Sequence, residues 1–378
     1  MEKEKTVNND LEILVEGNHI DLFANEVAER VKNHKIIFLG EQQHGDGETF
    51  LIKSKLVDIL NKKYRYRHLL IEGSYFYNNQ LNEKIKNKEQ INNADWTKAM
   101  YHFWGLSNET KLVRKDILNG NLDFFGFDYN FISDDFLVDL SDYIKNYFSK
   151  YDEFNEKENE ELFETLIYKN GPLVLFNYKP KRKNQDVVLN QILNLKNLIL
   201  KKESQSKEDH SMILVLSNLY DFYYSRIKLK EHEQNAYRDS IMYRNVNYIV
   251  ENLIDKDDKV IIWSANAHLL YENTDNLYPM GKYLKEKYGN DIFSILFTSN
   301  KGHMYNIATN QEQLINKTSI YSLENTLKDN DHNYFLYSFG NNKKPLKMKF
   351  LGHSNIENKW NEMMDNFIFI ETMKPVTF

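Results

Sequence analysis

Residues 36–64 read IIFLGEQQHGDGETFLIKSKLVDILNKKY, and their pattern decides the fold. The apolar run Ile36–Leu39 stops at Gly40 and opens into a polar, glycine-rich turn. Beyond Glu48, the residues Ile52, Leu56, Ile59 and Leu60 recur at helical spacing, so the turn delivers the chain into an amphipathic helix. A second apolar run follows at His68–Gly73. Strand, helix and strand at this interval form a βαβ unit and predict parallel pairing. Further apolar runs at 122–128, 260–266, 292–299, 334–339 and 367–373 extend the sheet. Residues 131–256 differ, carrying charged helical patterns such as LNQILNLKNLIL (189–200) and SMILVLSNLYDFYYSRIKL (211–229).

These patterns predict an α/β protein with a mostly parallel central sheet, flanking helices and an inserted helical section. The expected division is a lead-in at 1–34, an α/β core at 35–130 and 257–378, and the helical insertion at 131–256. The stretch YKPKRKNQD (178–186) reads as a surface loop whose charge is solvated rather than a binding patch.

Composition narrows the function classes. The 378 residues are 41% hydrophobic and 28% charged, the balance of a soluble globular chain. A net charge of −6 gives no footprint for nucleic acid. The absence of cysteine removes disulfides, thiolate metal sites and thiol nucleophiles together. No apolar run approaches the ~18 residues needed to span a bilayer. The opening MEKEKTVNND is followed by no apolar leader region. The expectation is a cytoplasmic protein that meets a small molecule, neither nucleic acid nor membrane.

Three familiar motifs fail. Gly40 and Gly45 have the spacing of a phosphate loop, but Asp46 and Gly47 stand where that loop needs Lys and Ser or Thr. No G-x-S-x-G elbow occurs, and the nearest approach, LGHSNI (351–356), lacks the closing glycine. No H-E-x-x-H is present; KEHEQN (230–235) has a single His.

What remains is a rim. Ligands of parallel sheets bind outside the carboxyl ends of the strands. The first run ends at Glu41 with His44 close behind, the second at Glu72, the third at Asp128, and the fourth at Asn266 and His268. His44 lies just before a helix N-terminus, which favours neutral imidazole, and is the natural base for water. Glu41 or Glu72 would fix its tautomer. No cofactor is needed for this chemistry; a divalent ion on Glu41, His44, Glu72 and His268 is the other route to activated water.

These residues resemble a known family. FLGEQQHGDGETFLIKSKLVDIL followed by LLIEG resembles the G-E-x-x-H-G signature of the erythromycin esterase family. FFGFDYN (124–130), YRDSIMYRNVNYIV (237–250), IIWSANAHLL (261–270) and YPMGKYLKEKYGNDIFSILFTSNKGH (278–303) are similar to its later blocks, in the family's order. The resemblance implies an α/β hydrolase that cleaves an ester or lactone of a small molecule by water attack, and the family's macrolide resistance activity. It implies His44 as base, with Glu41, Glu72 and His268 beside it. Lys53 and Asn266 are expected to contact substrate, with Tyr101, His102 and Trp104 walling the cleft. Asp128, Arg238 and Asp239 are expected to brace the site from behind. Ala265 departs from the family, standing where the first His of its H-N-A-H motif is usual, so a candidate metal ligand is missing. The competing reading is a non-catalytic small-molecule binder on a degenerate hydrolase scaffold.

Overall fold

The computed structural model describes residues 11–131, 136–167, 185–274, 277–327 and 332–378. Residues 178–184 of the expected surface loop lie outside the described residues, while Gln185 and Asp186 open the helix Gln185–Leu200.

Apolar runs buried on both faces become the central strands, and more exposed segments become the others. The strands are β1 (Glu12–Gly17), β2 (Ile36–Leu39), β3 (Tyr66–Ser74), β4 (Asp123–Asp128), β5 (Lys259–Trp263) and β6 (Ile292–Asn306). They are followed by β7 (Gln311–Leu314), β8 (Tyr334–Ser338), β9 (Leu346–Leu351), β10 (Ser354–Asn358) and β11 (Asn366–Met373). The main sheet runs β1-β8-β11-β6-β2-β5-β3-β4, with β7 paired to β6; β9 and β10 form a separate hairpin. From β11 to β4 every neighbour is parallel, while β1–β8 and β8–β11 are antiparallel. The seven sequence-predicted runs are all strands.

One expectation needs refinement. The βαβ unit of β2, its helix and β3 is parallel, but the two strands do not touch. β5, far later in the chain, slots between them, pairing Ile36–Leu39 with Val260–Trp263 on one side and Leu69–Ile71 with Ile261–Trp263 on the other. The stretch expected as a lead-in instead supplies the edge strand β1 and the helix Ile20–Val31, whose Phe23, Ala24, Val27, Ala28 and Val31 are buried.

Alternation along β2 divides the core. Ile36 and Phe38 point into one layer with Val260, Ile262, Leu70 and Phe127, covered by the helices Lys207–Lys228 and Glu231–Asn252. Ile37 and Leu39 point into the other, with Ile261, Trp263 and Leu69, covered by Ile20–Val31 and Gly47–Tyr64. A strand sandwiched between helical layers must be apolar on both sides, which is why β2 reads as an unbroken run. The helix Gly47–Tyr64 buries Phe50, Ile52, Leu56, Val57 and Leu60 against the sheet. It carries Lys62 and Lys63 in its last turn, where cations suit the helix dipole, and stops at Arg65 in the left-handed region. Among the described residues no helix is long and apolar enough to cross a membrane.

Candidate active site

Four adjacent strands, β2, β5, β3 and β4, end at one rim, and each carries a polar group over it. β2 leads into Glu41, β5 into Ser264 and the short helix Asn266–Leu269 with His268, β3 ends near Glu72, and β4 ends at Asp128. The helix Glu231–Asn252 adds Arg238 and Asp239 from above.

Glu41 anchors the first half. Its side chain is wholly buried; Oε1 lies 2.8 Å from His44 Nδ1, and Oε2 accepts from Lys53 Nζ at 2.6 Å and Trp263 Nε1 at 2.9 Å. The proton on Nδ1 is thereby fixed toward Glu41, and Nε2 is left as the basic nitrogen. Burial alone would lower the His44 imidazole, but the Glu41 hydrogen bond and the charges of Glu72 and Glu41 hold it above its ordinary 6.5. The ring stacks on Phe103, with centroids 5.1 Å apart, and meets the edge of Trp104 at 5.0 Å.

Glycines let this turn sit where it does. A Cβ on Gly45 would fall 1.7 Å from the Tyr305 carbonyl oxygen, and one on Gly40 would fall 2.0 Å from Asn266 Oδ1. Neither position can hold a larger residue without moving backbone or a fully buried amide.

Arg238 organises the second half. Its Nη2 reaches Glu72 Oε1 and Asp128 Oδ2, each at 2.7 Å; its Nε reaches Asp128 Oδ2 at 3.1 Å, and its Nη1 lies 3.2 Å from His268 Nε2. The other Glu72 oxygen accepts from Ser264 Oγ at 2.8 Å and from the Ala265 amide at 3.1 Å. His268 Nδ1 lies 2.9 Å from Asp239 Oδ1, which also accepts from the Met280 amide at 3.0 Å. Burial opposes charge on His268, yet Glu72 and Asp239 outweigh it and push the imidazole up to about 10, so the ring is cationic at neutral pH. Its Nε2 is 3.3 Å from Glu72 Oε1 and carries the second proton toward that oxygen. Burial would raise the Glu72 carboxyl, but His268, Arg238 and His44 hold it well below the usual carboxylate range.

The geometry therefore brings Glu41, His44, Glu72, Asp128, Arg238, Asp239 and His268 into one electrostatic cluster. Arg238 and Asp239, expected as braces behind the site, are interlocked with its catalytic candidates: Arg238 touches His268 and Glu72, and Asp239 holds the charge and orientation of the His268 ring. Ala265 needs no imidazole for its contact with Glu72, which is made by backbone N–H.

Other expected contacts fall elsewhere. Lys53, expected to contact substrate, is turned away from solvent. It is fully buried beneath Glu41 and over the Trp263 ring at 4.2 Å, and burial pushes its ammonium down to about 8 despite Glu41. The helical pattern that places Lys53 among Phe50, Ile52 and Leu56 turns it into the core, so its work is to neutralise Glu41. Asn266 is buried as well: its Nδ2 donates to the carbonyls of Phe297 and Phe350, each at 2.8 Å, and ties the short helix after β5 to β6 and β9. Trp104 is completely buried and forms the floor under His44 rather than a wall. The helix Asn93–Gly105 breaks at Tyr101 (φ 56°, ψ 161°), where a non-glycine backbone is strained. Tyr101 and His102 remain partly exposed; Tyr101 stacks on Phe103, with centroids 5.4 Å apart, and His102 on Phe378 at 5.9 Å. The bond of Trp263 to Glu41 was not foreseen, since a Trp inside an apolar strand reads as core. Among the described residues no three His, Asp or Glu side chains are grouped to hold a metal ion.

Known proteins share this architecture. The solved structure of a succinoglycan biosynthesis protein superposes with a TM-score of 0.77 at 15% identity, covering 93% of this chain and 91% of that one. A Bacillus cereus protein superposes with a TM-score of 0.74 at 16% identity, covering 93% and 98%. A mutant of the erythromycin esterase EreC, in its open conformation, gives 0.65 at 15% identity, covering 95% and 97%. At these identities the likeness is one of fold. A protein of Bacillus subtilis (strain 168) named "Putative hydrolase YbfO" is 23% identical over 91% of this chain and 85% of its own length. The family model described as erythromycin esterase matches residues 62–372, well over half of the chain, and with that match the chain belongs to the erythromycin esterase family.

Proposed function

We propose that this protein hydrolyses a carboxylic ester or lactone of a small molecule, macrolactones included, by direct attack of water. Family membership and a relative named as a hydrolase support a hydrolase-like function. The finer reading is carried by one observation: two His–carboxylate pairs, Glu41–His44 and Asp239–His268, share the site, and Glu72 and Asp239 hold the second imidazole cationic. A fixed cation beside an imidazole with a free Nε2 supports an electrophilic role for His268 and a basic one for His44. His44, oriented by Glu41, takes a proton from water at Nε2 as the oxygen adds to the acyl carbon. The carbonyl π electrons move onto oxygen, and the oxyanion lies against the His268 imidazolium and Arg238. Both are fixed cations in a site largely withdrawn from water, where such donors act most strongly. Collapse of the tetrahedral intermediate expels the alkoxide, which takes the proton from His44. The products are acid and alcohol, and no bond to the protein forms.

Arg238 also bears on metal use. Its guanidinium already pairs with Glu72, one of the candidate ligands, and lies against His268, another, which supports a route through His44 as general base over one through a divalent ion.

The test is a panel of acyl esters and lactones assayed for turnover in ¹⁸O water, with thermal shift measured on the same compounds. The expected result is hydrolysis, with one label in the acid product under single turnover. Thermal shifts with no turnover across the panel would replace this reading by that of a binding protein.

A further inference from the structure

We infer that His353, at the turn between β9 and β10, is a positioning residue for the loop that carries His44. This rests on the reading of His44 as base. The LGHSNI stretch has no role as a nucleophile elbow, and the fold gives it another. Gly352 (φ 58°) and His353 (φ 56°) both adopt the left-handed conformation of a tight hairpin turn, where Gly and Asn are the usual residues. A histidine held there, and only 1% exposed, is a strained and buried choice.

Its ring explains the choice. His353 Nε2 lies 2.9 Å from Asp46 Oδ1, and the Asp46 side chain is completely buried. Asp46 stands at the N-cap of Gly47–Tyr64, where an Asp ordinarily caps the helix amides, but it makes no such bond. Its carboxylate is diverted: Oδ1 to His353, and Oδ2 to the Gln43 amide at 2.9 Å. The same hairpin grips the loop twice more, through Gly352 N to the Gln42 carbonyl at 3.2 Å and Gln42 Nε2 to the Lys349 carbonyl at 2.6 Å. Ser299 Oγ donates to Gln42 Oε1 at 2.9 Å, and the Gly45 carbonyl accepts from the amides of Tyr305 and Val376. Gln42, Gln43, Gly45 and Asp46 are thus all tied down, and His44 is the residue between them whose side chain faces the Glu41–Glu72 cluster.

Ser299, His353 and Asp46 follow one another like a nucleophile triad, but the arrangement does not act as one. Ser299 is fully buried, its hydroxyl already donates to Gln42, and its distance to His353 Nδ1 is 3.5 Å. The chain of contacts ends on the loop, not on substrate. Its effect is to hold His44 Nδ1 at hydrogen-bond distance from Glu41.

Three variants test this. His353→Gly keeps the left-handed turn and deletes the ring; His353→Asn tolerates the same backbone but is too short to reach Asp46. His353→Gln puts an N–H near the place of Nε2. The readouts are the His44 titration followed by ring ¹³C–¹H NMR, and kcat and KM on whichever panel ester turns over best. In both the Gly and Asn variants the His44 midpoint should move toward the ordinary 6.5 as its grip on Glu41 loosens. Their kcat should fall about 10- to 10²-fold with KM little changed, the scale of a misplaced catalytic group. His353→Gln should regain most of both. A wild-type His44 titration and kcat in either loss variant that folds would overturn the proposal, whatever its melting temperature. An absence of turnover in the wild type would sink the hydrolase reading instead, and the His44 titration would still decide the positioning role.

Discussion

Arg238→Met tests the electrostatic logic of the site most directly. The substitution keeps an unbranched stem and removes the fork that binds Glu72 and Asp128 at 2.7 Å each. Both carboxylates are buried, with side chains 4% and 0% exposed, so neither can turn to water once the guanidinium is gone. Removing one partner of such a buried cluster costs on the order of 3–5 kcal/mol, because an uncompensated charge is left behind. The sign with pH follows from linkage. Glu72 is held well below the usual carboxylate range in the folded protein. A depressed carboxylate contributes stability that is present above its unfolded pKa, roughly 4.3, and is lost as pH falls through the folded value. Without Arg238 that contribution shrinks. The deficit of the variant should therefore be largest at neutral pH and shrink as pH falls, because the unpaired Glu72 of the folded variant takes up its proton sooner than the paired Glu72 of the wild type. Urea unfolding of wild type and variant at pH 7 and pH 4 measures it. Arg238→Lys keeps a point charge but not the fork, and should fall between the two. A deficit under ~1 kcal/mol at pH 7, the scale of an exposed pair, would refute the reasoning. So would a full deficit that persists unchanged at pH 4.

His44→Ala should lower turnover by about 10²- to 10⁴-fold and leave the melting temperature near wild type, since the turn is shaped by its glycines rather than by this ring. Turnover near the wild-type rate would remove His44 as the base. The pH–rate profile should rise through the His44 value, above 6.5, and fall near about 10 as His268 loses its proton. Asp239→Asn should bring that alkaline limb down toward neutrality, because it deletes a charge that holds His268 protonated; an unmoved limb would mean that His268 does not set it. Chelator treatment should leave turnover unchanged. Activity lost to chelator and restored by a divalent ion would show that a metal, not His44 alone, activates water.

The sequence by itself determined the local facts. Short apolar runs bounded by turn residues suit strands buried on both faces, so β2 to β6, β8 and β11 were legible, as was the helix after GEQQHGDG. Because parallel strands present their carboxyl ends together, Glu41, Glu72, Asp128 and His268 could be gathered at one rim before any coordinates. The short exposed strands β7 and β10, and the half-buried β9, carry no such run and were missed. Pairing order is a matter of long-range contact: nothing local in Val260–Trp263 says that it inserts between β2 and β3. Which way a polar side chain points was likewise decided only by packing. Lys53 was turned inward because its helical neighbours are core residues, and Asn266 because the sheet needed its amide. Arg238 and Asp239 entered the centre of the site because their helix crosses the strand ends. His353 lies more than 300 residues beyond Asp46, and only folding brings the ring to that carboxylate. A side chain's chemistry is written in its own residue, but its partner is set by contacts that no local stretch of chain contains.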